Sequence, residues 1–210
     1  MKTDSSREKI LQAAEELFAE AGFDKTSTAS IAKRAGVNSA LIFYYFENKE
    51  NLLKNIIHEK ILAYRQERIQ TIPALKEAFT GKKLSQSLLE EMIKDALKFM
   101  GNSENLFRIL TVETLKKSSE GFEVFQIADT ILGDILKELS QPEEQVKDKL
   151  SILIKEIFFM LLPMAMYVML KQKMQEYFQV SEEELSAKMS EVCKDAYIRI
   201  FAKELNIEVE

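Results

Sequence analysis

Apolar positions recur every three to four residues along nearly the whole chain, the period of α-helices packed on one side. In the first stretch Ile10, Leu11, Ala14, Leu17, Phe18 and Ala21 fall on one face, which predicts a helix from Ser6 to Ala21. Ser5-Ser6-Arg7-Glu8 offers a capping box at its start, and Gly22 a left-handed stop at its end. A short helix is predicted over Ser27–Ala35, capped by Thr26 or Ser27 and burying Ile31, Ala32 and Ala35. The tight turn Gly36-Val37-Asn38 follows, and Asn38 can cap a third helix, Ser39 to Phe46. Asn48 can cap a fourth, running from Lys49 to about Gln70, where Pro73 breaks it. Longer helices are expected near 84–100, 103–118, 121–140, 143–177 and 182–205, punctuated by Gly101, Gly121 and Pro142. Strand-like alternation runs nowhere at convincing length, so the fold class is all-α.

The segment from Ser27 to Phe46 is two short helices joined by a glycine turn. That is the helix-turn-helix arrangement, whose second helix can enter the major groove. Ile42 and Phe46 are four apart and share a face, so they are the natural core pair against Ile31 and Ala35. Ser39, Ala40, Leu41, Phe43, Tyr44 and Tyr45 are then left largely outside. Three adjacent aromatics cannot all be buried on so short a helix, and an exposed apolar cluster usually contacts something. The alternative is that Phe43 or Tyr45 packs under helix one or four.

Several ordered pieces now line up without gaps: Gly22-Phe23, Thr26-Ser27-Thr28-Ala29-Ser30-Ile31-Ala32, Ala35-Gly36-Val37-Asn38, Ile42-Phe43-Tyr44-Tyr45-Phe46, Asn48-Lys49-Glu50 and Leu52-Leu53. Over roughly residues 7–54 the chain resembles the tetracycline-repressor (TetR) family of bacterial transcriptional regulators. The resemblance implies that Thr28, near the start of helix two, and Lys49, at the start of helix four, contact DNA phosphates. It places Ser39, Ala40, Leu41, Phe43, Tyr44 and Tyr45 at positions that face the groove. Three positions depart from the family pattern. Ala29 stands where a longer polar side chain is common, Leu41 where Thr is common, and Phe43 where Tyr is common. These changes thin out the hydrogen-bonding readers. Apolar contact to thymine methyls remains, with the Tyr44 and Tyr45 hydroxyls, so a preference for A·T-rich steps and DNA shape is expected.

Charge adds little to this. The net charge is −5, yet residues 1–70 hold 11 Lys and Arg against 10 Asp and Glu, leaving the acidic excess in the rest of the chain. A single cysteine, Cys193, excludes an intrachain disulfide and suits a reducing cytoplasm. The polar start, Met1-Lys2-Thr3-Asp4-Ser5, has no secretory apolar core. The lone histidine, His58, sits mid-helix, and no HExxH, CxxC, GxSxG, GxGxxG or phosphate-binding glycine loop occurs. No enzyme, metal or cofactor is expected.

The expected organisation is a helix-turn-helix DNA-binding domain over 1–50 and a helical effector-binding and dimerisation domain over 51–210, with the helix from 49 connecting them. The longest uncharged apolar run, Ile157–Leu170, is too short for a membrane span and better suits a buried helix or a subunit interface. The family resemblance implies a homodimer through the helices near 143–177 and 182–205, reading a palindromic operator in double-stranded DNA, usually as a repressor. It also implies an effector pocket. Phe99, Met100, Phe107, Phe125, Met160 and Met164 would suit a small lipophilic ligand, with Arg108, Glu113 and Tyr167 as polar partners. Plain hydrophobic core is the competing reading of these side chains. The rival function is a helical lipophile-binding protein with weakened DNA binding.

Overall fold

The computed structural model describes residues 5–68, 72–115, 125, 129, 148–202 and 208–210. α1 spans Ser5–Ala21 and buries Ile10, Leu11, Ala13, Ala14 and Phe18. Ser5 is already helical, so the start lies one residue ahead of the expected position. Ala21 is exposed, because the chain leaves the helix there through Gly22 at φ +88°. α2 covers Thr28–Ala35, α3 Ala40–Phe46 and α4 Lys49–Arg68. Their buried residues are Ile31 and Ala32, then Ile42 and Phe46, then Leu52, Leu53, Ile56 and Ile57.

α5, Ile72–Gly81, was not expected from the sequence. Pro73 falls in its first turn, where the missing N–H has no partner to lose. The proline therefore opens a helix as well as closing the one before it. A two-residue strand, β1 (Lys83–Leu84), leads into α6, Gln86–Asn102, whose cap Ser85 accepts from the Leu88 amide at 3.2 Å. α7 runs Glu104–Thr114. The helix expected over 121–140 lies outside the described residues except for Phe125 and Asp129, both helical.

α8, Lys149–Glu156, is capped by Asp148, whose carboxylate accepts from the Ser151 amide at 2.9 Å. One π-helical turn, Ile157–Leu161, joins it to α9, Leu162–Phe178. Pro163 explains the widening. Its ring clashes with the carbonyl four residues back and it has no N–H to offer, so the Leu162 amide bonds one residue further back, to Ile157. α10, Glu182–Tyr197, ends in a second π-helical turn, Ile198–Ala202. β2, Glu208–Val209, then pairs in parallel with β1, Lys83 opposite Glu208 and Leu84 opposite Val209.

The elements form two compact units. The first holds α1 to α4 and α7 from Asn105 onward. The second holds α5, β1, α6, α8, α9, α10 and β2, and buries Leu84, Leu89, Ile93, Met100, Met164, Tyr167, Val168 and Cys193. Within it α6 packs against α9 and α10. The stretch Lys149–Phe178 has the length and apolarity of a membrane span, with mean hydropathy 1.9 in its most apolar window. Only 33% of that window is buried, which leaves an apolar face outward.

Candidate nucleic-acid interface

The geometry starts at the loop after α1. Thr26 is buried, and its hydroxyl donates to the Gly22 carbonyl at 2.8 Å and the Leu17 carbonyl at 3.2 Å. Ser27 then caps α2. Its hydroxyl accepts from the Ser30 amide at 3.1 Å, while the Ser30 hydroxyl accepts from the Ser27 amide at 3.2 Å. A serine thus fills the place that Glu or Gln usually takes in a capping box. At the other end Gly36 adopts φ +67° and the Val37 amide reaches back to the Ala32 carbonyl at 3.1 Å. That left-handed turn swings the chain into α3. Asn38 accepts from the Ala40 amide on its side chain at 2.9 Å, from one residue before the N-cap position, which Ser39 fills with no side-chain cap bond, so α3 starts at Ala40, one residue later than expected.

α3 faces inward through Ile42 and Phe46, both essentially inaccessible. Its outer face carries Phe43, 53% exposed, and Tyr44, 78% exposed. Tyr45 is half-buried and meets Tyr44 edge-on at 5.0 Å between ring centroids. Ser39 and Ala40 are exposed and Leu41 half-buried. On α2, Ala29 is exposed and Thr28 half-buried. Large aromatic surface held open to solvent on a rigid helix is the feature that most needs an explanation.

The frame behind this face is tied from three sides. Arg7 of α1 pairs with Glu59 of α4, donates to the Asn55 side chain at 3.1 Å, and lies 5.4 Å from the Phe46 ring centroid. Arg34 of α2 forks onto Glu20 of α1 with two 2.9 Å contacts, and Glu16 stands at 3.5 Å. The fork raises the guanidinium pKa and lowers that of Glu20. Lys49, the first residue of α4, is half-buried. Its ammonium donates to the Phe23 carbonyl at 2.7 Å and the Thr26 carbonyl at 3.1 Å, and sits 4.2 Å from the Phe23 ring centroid. Motif spacing gave no sign of the Arg7 node or of these Lys49 partners, because both depend on where long side chains end.

Between α3 and α4 a single residue, Glu47, reverses the chain at φ +66° and ψ −47°. The Asn48 amide bonds back to the Phe46 carbonyl at 2.7 Å, closing a γ-turn. Asn48 then caps α4, its side chain accepting from the Asn51 amide at 2.7 Å.

The residues singled out for a ligand are divided. Phe107 is buried, Arg108 exposed and Glu113 half-buried, all on α7 of the first unit. Phe99 and Met100 lie on α6, Met160 in the π-helical turn, and Met164 and Tyr167 on α9, all in the second unit. Met100, Met164 and Tyr167 are buried on helices that pack together, whereas Phe125 is exposed.

Residues 10–56 match the family model of bacterial regulatory proteins, tetR family. Among curated proteins the chain is 31% identical over 106 residues to the Bacillus subtilis "Probable HTH-type transcriptional regulator YttP", covering 50% of this chain and 49% of that one. It is 29% identical over 112 residues to the Bacillus subtilis fatty acid metabolism regulator protein, covering 53% and 54%. The chain thus spans about half the length of these curated relatives. Among solved structures, the fatty acid degradation regulator FadR of Bacillus halodurans shares the fold over 93% of this chain and 96% of that one, with TM-score 0.58 and 19% identity. FadR of Bacillus subtilis in complex with stearoyl-CoA does so over 93% and 98%, with TM-score 0.50 and 21% identity. With the motif in sequence and the helix-turn-helix in three dimensions, residues 10–56 match the tetR family of bacterial regulatory proteins, and the chain as a whole shares the fold of the Bacillus halodurans FadR.

Proposed function

We propose that this chain is a ligand-responsive, sequence-specific DNA-binding regulator of transcription, acting as a homodimer in the cytoplasm. The observation that carries the reading is α3. It is anchored from below by Ile42 and Phe46 and presents Phe43 and Tyr44 outward from a helix-turn-helix. The reading face comprises Ser39, Ala40, Leu41, Phe43, Tyr44 and Tyr45, with Ala29 beside them and the Thr28 end of α2 at the phosphates. α3 contains no charged residue and few hydrogen-bonding groups, so apolar contact to thymine methyls carries base recognition.

Dimerisation is supported by the second unit. Leu150, Ile154 and Phe158, at four-residue spacing, are exposed, and further along Met166, Leu170 and Tyr177 are exposed as well. A stripe of that size suits a two-fold partner and explains the apolar length of Lys149–Phe178 without a membrane. The effector is a lipophile. Supporting this are Met100, Met164 and Tyr167 on packed helices, and the likeness to a fatty acid metabolism regulator and to a FadR bound to stearoyl-CoA.

The test is selection from a random duplex pool with the full-length chain, followed by fluorescence anisotropy on the recovered site and on a scrambled one. The expected result is an A·T-rich palindrome bound at least about a thousandfold tighter than the scramble, with affinity reduced by a long-chain acyl thioester. Equal, weak binding to both duplexes would sink the regulatory reading, and a G·C-rich consensus would sink the thymine-contact mechanism.

A further inference from the structure

We propose that Lys49 is a positioning residue that locks the first turn of α4 to the α1–α2 loop, and that it is not a phosphate contact. The proposal rests on the DNA-binding reading for its consequence, but its geometry is internal to the first unit. An ammonium has three donors and no acceptor. Two are taken up by the Phe23 and Thr26 carbonyls, at 2.7 and 3.1 Å, and the charge lies against the Phe23 ring at 4.2 Å. The loop that receives it is already closed. The Thr26 amide donates to the same Phe23 carbonyl at 3.2 Å, and the buried Thr26 hydroxyl ties back to Gly22 and Leu17. Lys49 plugs the turn that its neighbours form.

The residue after Thr26 is Ser27, the cap of α2, so the clamp fixes where α2 begins. α2 leads through the Gly36 turn into α3. Anything that tilts the start of α4 therefore carries the α1–α2 loop and the start of α2 with it. Two of its three donors are already spent on these carbonyls, and a DNA phosphate could draw the ammonium off the loop only by breaking those charge-assisted hydrogen bonds, each stronger than a neutral one. Lys25 before α2 and Lys33 on it are exposed, with their charges open to solvent.

Lys49→Met and Lys49→Arg separate the two roles in the full-length chain. Binding to the selected duplex is measured from about 50 to 200 mM salt, at a temperature where circular dichroism shows each variant folded. A positioning residue predicts that Lys49→Met weakens binding about tenfold at every salt concentration, with the wild-type salt slope. Lys49→Arg should also weaken binding, because a planar fork does not fit where a compact ammonium meets two carbonyls and a ring. A slope flattened by about 0.9 in Lys49→Met, or wild-type affinity in Lys49→Arg, would overturn the proposal. A second measurement needs no DNA. Urea unfolding of Lys49→Met, Phe23→Leu and the double variant should show coupling of at least about threefold in the unfolding constant, and simple additivity would refute the clamp. If the wild-type chain binds no duplex, the regulatory reading fails and this cycle alone decides the clamp.

Discussion

Glu47 stands at φ +66° and ψ −47°, where a side chain bearing a Cβ is strained. It is held there because α3 ends at Phe46 and Asn48 is already needed as the cap of α4. Its carboxylate gains only a 3.3 Å contact from the Asn51 side chain. Glu47→Gly should therefore stabilise the chain by about 1 kcal/mol, strain relief exceeding the added entropy of the unfolded glycine. Urea denaturation measures it, and a destabilised variant would show that the contact outweighs the strain. Cys193 is governed by burial instead. Desolvation pushes its thiol pKa up from 9.0 to about 11, so the thiol is protonated and unreactive at neutral pH. The folded form holds the proton more tightly than the unfolded one. The resulting stabilisation is complete below pH 9 and is lost as pH rises through about 11. Measured against Cys193→Ala, the wild-type chain should lose about 2 to 3 kcal/mol of relative stability across that interval; parallel pH profiles would contradict it.

At the scale of elements, α2 depends on the reciprocal Ser27 and Ser30 bonds. Ser27→Ala removes the acceptor for the Ser30 amide and should cost about 1 kcal/mol of stability, read as a lower melting temperature. Ser27→Asp should restore most of it, since an aspartate caps as well and suits the positive end of the helix. The caps also explain how much could be read in advance. α1 to α4 were legible because their signals are local: Gly22, Ser27, Gly36, Asn38 and Asn48 lie within a few residues of the ends they set, and Ile42 and Phe46 show their shared face by spacing alone. α5 was not legible, because Pro73 is equally good at ending one helix and opening the next. The β1–β2 pairing was not legible either. It joins two dipeptides with no alternating pattern, and Lys83 meets Glu210 across a separation of 127 residues. On α3 the sequence indicated which aromatics lie outward. It could not show that the Lys49 ammonium turns back onto the Phe23 carbonyl, because four rotatable bonds separate that charge from the helix that places it.

For the whole molecule, the apolar stripe on α8 and α9 is the strongest departure from what a lone chain should expose. Phe158, 58% exposed and at the four-residue spacing of Leu150 and Ile154, is a fair probe of it. On the proposed dimer reading, the unaltered chain should sediment as a dimer at micromolar concentration and Phe158→Glu as a monomer, with the helical circular dichroism unchanged. A variant that stays dimeric would move the interface elsewhere. The absence of charge from α3, set in a first 70 residues that are nearly neutral, has a kinetic consequence. Loose association with arbitrary DNA rests on phosphate contacts and counterion release, and here the charge for them lies outside α3, on exposed residues such as Lys25 and Lys33 in a head with almost no net charge. On the proposed DNA-binding reading, such a head would dwell briefly on arbitrary sequence and find its site mainly by repeated three-dimensional encounters. On that reading it would lose arrival speed, while fewer copies would be held on decoy sequence.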